Sequence, residues 1–415
     1  MAKDLRDYQE VACDYICNRL DNYKRPFIYV MACGTGKSLV IAELAKRVGR
    51  VLVITLSAEL CRQDYDECIE YGVEASVYSA SMNRKEIGAI TIATIGSAYK
   101  NPQLFTLADL VIIDEVQSVN PAEPKSMFMK LLIEMNKARK DMGGIKIVGL
   151  TATAYRNVQK TVSQGWYYKT TTYLQPLNRI PCKGGFLWSS IVEGITTKEA
   201  LARGYLTPVE YYSSPTDGRL VVNSTGGEFT DESLDIWGDG VIEKCLSTMQ
   251  GAEKTWNIKS GIVALPFIRH AEALKALCDK AGLSTVVVSS ETPQGARKRA
   301  INSFKAGEIR WLIQCNIANV GFNSPITDTL IWARPTLSLN LWQQAVGRIM
   351  RLSDGKKVAR VLDLVGTTQT FGRVECVRLG KEEKFKTTIV GEKGKLSGTP
   401  LKEFHWSRNI KKDEL

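Results

Sequence analysis

Short apolar runs alternate with longer amphipathic segments along this chain, in two successive series. The runs are typical of buried strands, and the segments between them are typical of helices. This alternation predicts parallel sheets covered by helices, because neighbouring parallel strands need a crossover connection. The first series comprises Phe27–Val30, Val51–Thr55, Ile90–Thr94, Leu110–Asp114 and Lys146–Leu150. The second comprises Gly261–Leu265, Thr285–Ser289, Arg310–Cys315, Thr329–Ala333 and Val361–Val365.

Changes in composition divide the chain into three predicted parts. Residues 213–240 are rich in Gly, Ser, Thr and Asp, which indicates a linker or a mobile loop between the two series. After Gly366 the strand rhythm fades and charged residues dominate. We therefore expect a first lobe at 1–212, a second lobe at 213–372 and a C-terminal extension or tail at 373–415.

A glycine-containing turn follows the first apolar run and precedes a helix-forming stretch. Gly34 and Gly36 allow successive backbone N–H groups to face an anion, and the helix N-terminus adds its positive dipole end. Lys37 adds a charge for the outer phosphates of a nucleotide, and the Ser38 hydroxyl can ligate Mg²⁺. The pattern predicts a phosphate-binding loop, although Met31 replaces its usual first glycine. The alternative is an ordinary glycine turn.

An acidic pair ends the apolar run Leu110–Asp114. Asp114 is suited to hold Mg²⁺ through its water shell, and Glu115 is suited to polarise an attacking water. The alternative is a plain strand end at the surface. Together with the phosphate-binding loop, the pair predicts a nucleoside triphosphatase that uses ATP and Mg²⁺.

Two arginines in the second series can complete such a site. On a continuous helix, Gln344, Arg348 and Arg351 share one face by their i, i+4 and i+7 spacing. Arginine is suited to phosphate oxygens because its planar, permanently charged fork binds them bidentately. We interpret these three residues as catalytic, together with Lys37, Asp114 and Glu115, and the alternative is a solvated basic face.

Composition narrows the class of partner. The formal net charge of +11 favours a polyanion, and its spread along the chain suits a phosphate-lined groove. No apolar run reaches the ~18 residues of a membrane span, so no membrane is expected. The ten cysteines form no Cys-x-x-Cys pair and only two histidines are present, so we expect no zinc. These features, with an N-terminus charged from Lys3 onward, indicate a cytoplasmic protein with reduced thiols.

The order of these motifs resembles superfamily 2 helicases, the two-lobed DNA and RNA translocases. Six segments carry the resemblance: Leu5–Gln9 to the Q-motif, Gly34–Ser38 to motif I, Asp114–Gln117 to motif II, Thr151–Arg156 to motif III, Val320–Pro325 to motif V and Gln344–Arg351 to motif VI. The resemblance implies a fold of two tandem RecA-like lobes with parallel sheets, an α/β architecture.

The resemblance also implies roles for individual residues. The nucleotide-binding set is Arg6, Gln9, Gly34, Thr35, Gly36, Lys37, Ser38, Gly321 and Asn323, with Ser38 and Asp114 toward the metal. The set that contacts one nucleic-acid strand, mainly through its phosphates, is Ser57, Gln63, Thr94, Ser97 and Asn319. The set that couples nucleotide state to movement is Gln117, Thr151 and Thr153. A Ser or Thr at a strand end is also a common helix cap, which remains an alternative for the strand contacts.

A closer resemblance is to the RadD-like bacterial DNA-repair helicases, over about Leu5 to Gly372. Three features depart from that branch: Val116-Gln117 replaces a Cys-His pair, Asn323 replaces an Asp, and the C-terminal zinc module is missing. We therefore expect a reduced relative in a prokaryotic cell, encoded by a phage or another mobile element.

The expected activity is an ATP-dependent DNA helicase or translocase in recombination, repair or replication, with single-stranded or branched DNA and possible recombination or replication proteins as partners. Two alternatives stay open at this point. One is an RNA helicase. The other is a DNA-binding recombination accessory protein whose ATPase is weak, which the residues Gln117 and Asn323 favour.

Overall fold

The computed structural model describes residues 4–164, 167–183, 185–215, 220–223, 228–315, 324–381, 387–397 and 400–407, which are called the described chain below. Its α-helices are α1 Asp7–Asn22, α2 Lys37–Val48, α3 Ala58–Glu70, α4 Ile95–Ala98, α5 Met127–Ala138, α6 Thr197–Ala202, α7 Asp231–Thr255, α8 Ile268–Lys280, α9 Gln294–Lys305, α10 Leu339–Ile349 and α11 Thr367–Phe371. None of these helices combines the length and apolar character that a bilayer crossing requires.

The strands of the first half are β1 Phe27–Val30, β2 Val51–Thr55, β3 Ser76–Ser79, β4 Arg84–Lys85, β5 Ile90–Thr94, β6 Leu110–Asp114, β7 Lys146–Thr151, β8 Tyr155–Gln164, β9 Tyr167–Pro176, β10 Pro181–Cys182, β11 Gly185–Phe186 and β12 Ile191–Glu193. Those of the second half are β13 Val209–Ser213, β14 Gly261–Leu265, β15 Thr285–Val288, β16 Trp311–Cys315, β17 Thr329–Trp332, β18 Ala359–Asp363, β19 Arg378–Lys381, β20 Thr387–Gly391, β21 Gly394–Lys395 and β22 Pro400–Ser407.

The first large sheet has the order β12-β1-β7-β6-β2-β5-β3-β4. Its pairs are parallel except for β3 with β4. Every residue of β1, β2, β5 and β6 is buried, as expected for strands covered on both faces. The register pairs Val30 with Thr151 and Asp114 with Leu150, so β1, β6 and β7 end at the same edge. The loops that carry the candidate chemistry leave this edge.

The second large sheet has the order β13-β18-β17-β14-β16-β15, and all of its pairs are parallel. Its central strands β14, β16 and β17 are buried throughout. Two separate parallel α/β sheets are the arrangement expected of tandem RecA-like lobes, which confirms the predicted fold class.

The division between the two compact units differs from the sequence-based one. Met1–Tyr155 and Pro176–Thr196 form most of the first unit, and Arg156–Gln175 and Thr197–Glu382 form most of the second. The expected boundary between residues 212 and 213 instead falls inside β13, an edge strand of the second sheet.

Two segments have more regular structure than their composition indicated. The expected linker at 213–240 contains the start of α7 at Asp231, where the Thr230 side chain accepts a hydrogen bond from the Ser233 backbone N–H. The expected tail contributes strands to two small sheets, β19-β20-β21 and β22-β9-β8. In the second of these, the backbone of β22 pairs antiparallel with β9, which follows motif III by only a short stretch of chain.

Candidate active site

The phosphate-binding loop joins β1 to α2 through two glycines with left-handed backbone. Gly34 has φ of 81° and Gly36 has φ of 80°. This backbone region is unfavourable for residues that carry a Cβ. A Cβ at Gly36 would also lie 2.4 Å from the Gln9 side-chain nitrogen. Helix α2 begins at Lys37, immediately after this turn, so its free N–H groups face the loop. The predicted phosphate-binding loop therefore has the local geometry of an anion site.

Two residues of the predicted Q-motif brace this loop from α1. The Tyr8 hydroxyl donates to the Thr35 carbonyl over 2.8 Å, and Gln9 Nε2 donates to the same carbonyl over 3.0 Å. The Gln9 carboxamide oxygen accepts a hydrogen bond from the Arg6 backbone N–H, and the Gln9 side chain is buried. The Gln9 amide thus contacts the loop backbone. Recognition of the adenine base by Gln9 remains a prediction. Arg6 itself caps α1 and donates to the Tyr8 hydroxyl.

Lys37 forms an ion pair with both acids of motif II. Its Nζ lies 2.5 Å from Glu115 Oε1 and 3.9 Å from Asp114 Oδ1. Burial lowers the pKa of the Lys37 ammonium, but the two carboxylates outweigh that effect and hold the pKa above its ordinary value. Burial also raises the pKa of Asp114 to about 6, against the opposing charge of Lys37. The lysine is therefore a permanent cation at the pH of a cell.

Glu115 has a strained backbone and a hydrogen-bonded side chain. Its φ of 52° is one of two positive values at non-glycine residues in the described chain. Gln117 Nε2 donates to Glu115 Oε2 over 2.6 Å, and Gln117 Oε1 accepts from the Thr151 hydroxyl over 2.6 Å. The Thr151 hydroxyl in turn accepts from the Thr153 backbone N–H. The residues expected to couple motifs II and III are thus joined to Glu115 by an unbroken series of hydrogen bonds.

The residues expected to hold Mg²⁺ fit a hard cation. Ser38 and Asp114 are both buried, Ser38 follows the lysine whose Nζ lies 3.9 Å from Asp114 Oδ1, and that oxygen accepts no hydrogen bond from the described chain. No group of three His, Cys, Asp or Glu side chains in the described chain is close enough to hold a metal ion alone. Mg²⁺ usually keeps several waters and binds one or two protein oxygens together with substrate phosphates, so this sparse set is suitable.

The side chains expected to contact nucleic acid have other partners in the first unit. Gln63 Nε2 donates to the Ser38 hydroxyl over 3.0 Å, which places Gln63 beside the phosphate-binding loop. Ser57 caps α3 by accepting a hydrogen bond from the Leu60 backbone N–H, which is the helix-cap role expected as the alternative to a nucleic-acid contact. Thr94 and Ser97 are buried and hydrogen-bonded to each other. Contacts from these four residues to a nucleic-acid strand remain predictions.

The second unit carries motif VI on α10 and the turn after it. Gln344 and Arg348 lie on α10, which ends at Ile349, so Arg351 lies beyond the helix. The expectation of one continuous helical face for all three residues is therefore wrong at Arg351. The Arg351 carbonyl accepts hydrogen bonds from Thr207 Oγ1 and Lys356 Nζ. Of the motif V calls, Asn319, Gly321 and Asn323 lie outside the described residues.

Two family models match the chain, one for each lobe. The model described as "Type III restriction enzyme, res subunit" matches residues 2–156, and the "Helicase conserved C-terminal domain" model matches residues 242–353. Each half of the chain thus resembles a helicase domain. The first match contains the whole site built around Lys37 and Glu115, and the second contains the motif VI arginines.

Several known proteins are similar to this chain at low sequence identity. A 51.5 kDa protein of a Lactococcus phage is 24% identical over 82% of this chain and 65% of its own length. The DNA 3'-5' helicase XPB of Kineococcus radiotolerans is 25% identical over 87% of this chain and 59% of its own length. The structure of the ATP-dependent Type ISP restriction-modification enzyme LlaBIII bound to DNA has a TM-score of 0.60 and 15% identity, over 87% of this chain and 28% of that one. The chain thus spans less than two thirds of the length of each of these relatives.

One contact of the second unit was not foreseen from the sequence. Lys356 Nζ donates to the carbonyls of Pro325, Thr327 and Arg351 at 2.7–2.9 Å. This lysine therefore fixes the turn after motif VI to the segment that follows motif V. The sequence offered only a pair of adjacent lysines after a glycine, a pattern typical of an exposed turn.

Proposed function

We propose that this chain is an ATP-dependent DNA helicase or translocase that couples ATP hydrolysis to movement on DNA or to its remodelling. The observation that carries the proposal is the hydrogen-bonded series from Lys37 through Glu115 and Gln117 to Thr151. It joins the phosphate-binding lysine and the expected catalytic acid to the motif through which similar helicases move their lobes.

The chemistry proposed for the first unit is attack of water on the γ-phosphate of ATP. Lys37 binds the outer phosphates as a point charge, and α2 directs its N-terminal amides toward them. Ser38 and Asp114 hold Mg²⁺, which when bound neutralises charge on the phosphate oxygens. Glu115 accepts a hydrogen bond from the attacking water and orients it. The Gln117 amide fixes the Glu115 carboxylate in position through Oε2.

Arg348 and Arg351 are proposed to complete the site from the second unit. Their guanidinium groups suit the charge that develops on the γ-phosphate, and an arginine in that role can contribute ~10³-fold or more in rate. Gln344 shares α10 with Arg348 and is proposed to bind near the same phosphate.

A nucleic acid is the favoured partner because of the charge of the chain, and DNA is the favoured polymer because of two similar proteins. The formal net charge of +11 favours a polyanion. One relative is named a DNA 3'-5' helicase, and one neighbouring fold is that of an enzyme bound to DNA. A role in recombination, repair or replication, the closeness to RadD-like helicases and a phage or prokaryotic cytoplasmic origin belong to this proposal. The phage relative supports the last of these.

The test is the steady-state ATPase rate without polymer and with single-stranded DNA, duplex DNA, forked DNA or RNA. We expect stimulation by DNA in the wild type and loss of turnover in Lys37→Ala and Arg351→Ala. Stronger stimulation by RNA would replace the proposal with an RNA helicase. Binding of DNA without any stimulated turnover would favour the accessory protein with a weak ATPase.

A further inference from the structure

Asp64 is a fully buried carboxylate without a hydrogen-bond donor. It lies on α3, its side chain is 0% exposed, and neither oxygen accepts a hydrogen bond of normal geometry from the described chain. A buried ionised carboxylate is costly unless it is paired or hydrogen-bonded. Asp64 does not belong to the residues proposed for catalysis, nucleotide binding or nucleic-acid binding. Its burial therefore needs another partner that offsets the cost.

The neighbours of Asp64 are the metal-binding residues of the phosphate site. Burial raises the pKa of Asp64 most strongly, and the charge of Asp114 raises it further. The Ser38 hydroxyl and the Lys37 ammonium act in the opposite direction, which places both near the carboxylate. The adjacent residue of α3, Gln63, donates to Ser38 Oγ over 3.0 Å and holds α3 against the start of α2. Asp64 is thus a buried carboxylate on α3, one residue from the contact that fixes this helix to Ser38.

The Ser38 hydroxyl needs an acceptor when its oxygen binds a cation. A hydroxyl that ligates a metal through a lone pair must donate its hydrogen elsewhere. Gln63 presents its amide N–H to Ser38 and so cannot accept that hydrogen. Asp64 is a nearby carboxylate with free lone pairs.

We propose that Asp64 is a positioning residue of the magnesium site, whose carboxylate accepts hydrogen bonds from the Ser38 hydroxyl and from metal-bound water. The inference rests on the proposed ATP and Mg²⁺ site. Carboxylates that orient metal ligands from outside the first coordination sphere change metal affinity by roughly 10- to 100-fold when removed. The cation also supplies the positive charge that the buried carboxylates Asp64 and Asp114 need.

The test compares Asp64→Asn with a matched control, Asp66→Asn. Asp66 lies on the same helix and is exposed, so its substitution removes the same charge without reaching the site. Two affinities are measured: that of ADP in EDTA, and that of Mg²⁺ for the protein–ADP complex by calorimetric titration. We expect D64N to weaken Mg²⁺ binding by roughly tenfold or more while ADP binding in EDTA is unchanged. D66N should match the wild type in both.

A double-mutant cycle with Ser38→Ala separates positioning from a purely structural role. If Asp64 acts through Ser38, D64N weakens Mg²⁺ binding less in the S38A background than in the wild type. Thermal melting without metal checks folding, and Asp64→Ala replaces D64N if the latter is unfolded. Wild-type Mg²⁺ affinity in a folded D64N protein would overturn the inference. Absence of ADP binding in the wild type would instead overturn the proposed function.

Discussion

Lys37 Nζ lies 2.5 Å from Glu115 Oε1, so the phosphate-binding lysine and the expected catalytic acid are each other's partners. A γ-phosphate needs the same ammonium that Glu115 now engages. Nucleotide binding must therefore divide the Lys37 hydrogen bonds between phosphate and carboxylate, or release the carboxylate to water. Because Gln117 hydrogen-bonds to both Glu115 and Thr151, a movement of the Glu115 carboxylate would also displace the hydrogen bond to Thr151.

Glu115→Gln should separate ATP binding from hydrolysis. The amide keeps the size of the side chain but removes its negative charge. That charge competes with the phosphate for Lys37 and also repels the phosphate. We expect ATP affinity to be kept or increased and turnover to fall by ~10²-fold or more, the usual contribution of a general base. Equilibrium binding of a fluorescent ATP analogue and the ATPase rate measure the two effects. Glu134→Gln, at an exposed position on α5, is the control; an unchanged turnover in E115Q would remove Glu115 from the chemistry.

Gln117→Ala should uncouple polymer binding from ATP turnover. The substitution breaks both hydrogen bonds that join Glu115 to Thr151. A hydrogen bond to a charged group contributes about 1.5–3 kcal/mol, so we expect DNA-stimulated turnover to fall by about tenfold or more. Basal turnover should fall less. The ratio of stimulated to basal ATPase is the measurement, and Gln103→Ala at an exposed position is the control. Equal loss of both rates would contradict a coupling role.

Lys356→Met should destabilise the second unit. It removes the ammonium donor from the Pro325 and Thr327 carbonyls and leaves the Arg351 carbonyl with Thr207 Oγ1 alone, and an unsatisfied buried acceptor costs about 1–3 kcal/mol. We expect the free energy of unfolding to fall by about 2 kcal/mol or more, measured by urea denaturation. Lys357→Met changes the neighbouring exposed lysine in the same way and should have little effect. Equal effects of the two substitutions would show that the three hydrogen bonds contribute nothing.

The pH dependence of the free energy of unfolding should reflect the lowered pKa of Lys356. Burial lowers the pKa of Lys356 to about 8, against the raising effect of Asp328, whereas an unfolded chain has a lysine pKa of about 10.4. Between these values the unfolded state binds a proton that the folded state has released. The wild-type free energy of unfolding should therefore rise with pH across this window relative to K356M, by up to about 1.4 kcal/mol per pH unit. A flat difference between pH 8 and about 10.4 would contradict the lowered pKa.

Local pattern was sufficient for the central strands and for the glycine turn between β1 and α2. Five of the observed strands, Phe27–Val30, Val51–Thr55, Ile90–Thr94, Leu110–Asp114 and Gly261–Leu265, match the predicted bounds, because a strand buried on both faces is a continuous apolar run. Edge strands such as Val209–Ser213 were missed, because they are partly exposed and lack such a run. The first turns of α7 were missed because the Gly, Ser, Thr and Asp content of residues 213–240 indicated a linker, although Thr230 caps this helix.

The sequence by itself determined the chemistry of the site, since Gly34, Gly36, Lys37 and Asp114 are defined by residue type and spacing along one strand–loop–helix unit. Only the tertiary structure decided how these groups are partnered. Gln63 donates to Ser38, Lys356 donates to three carbonyls, and Asp64 is buried on α3 next to Gln63. Each of these depends on a helix or turn packing against a distant part of the chain. Such packing is set by the whole core rather than by neighbouring residues, so no local pattern contains it.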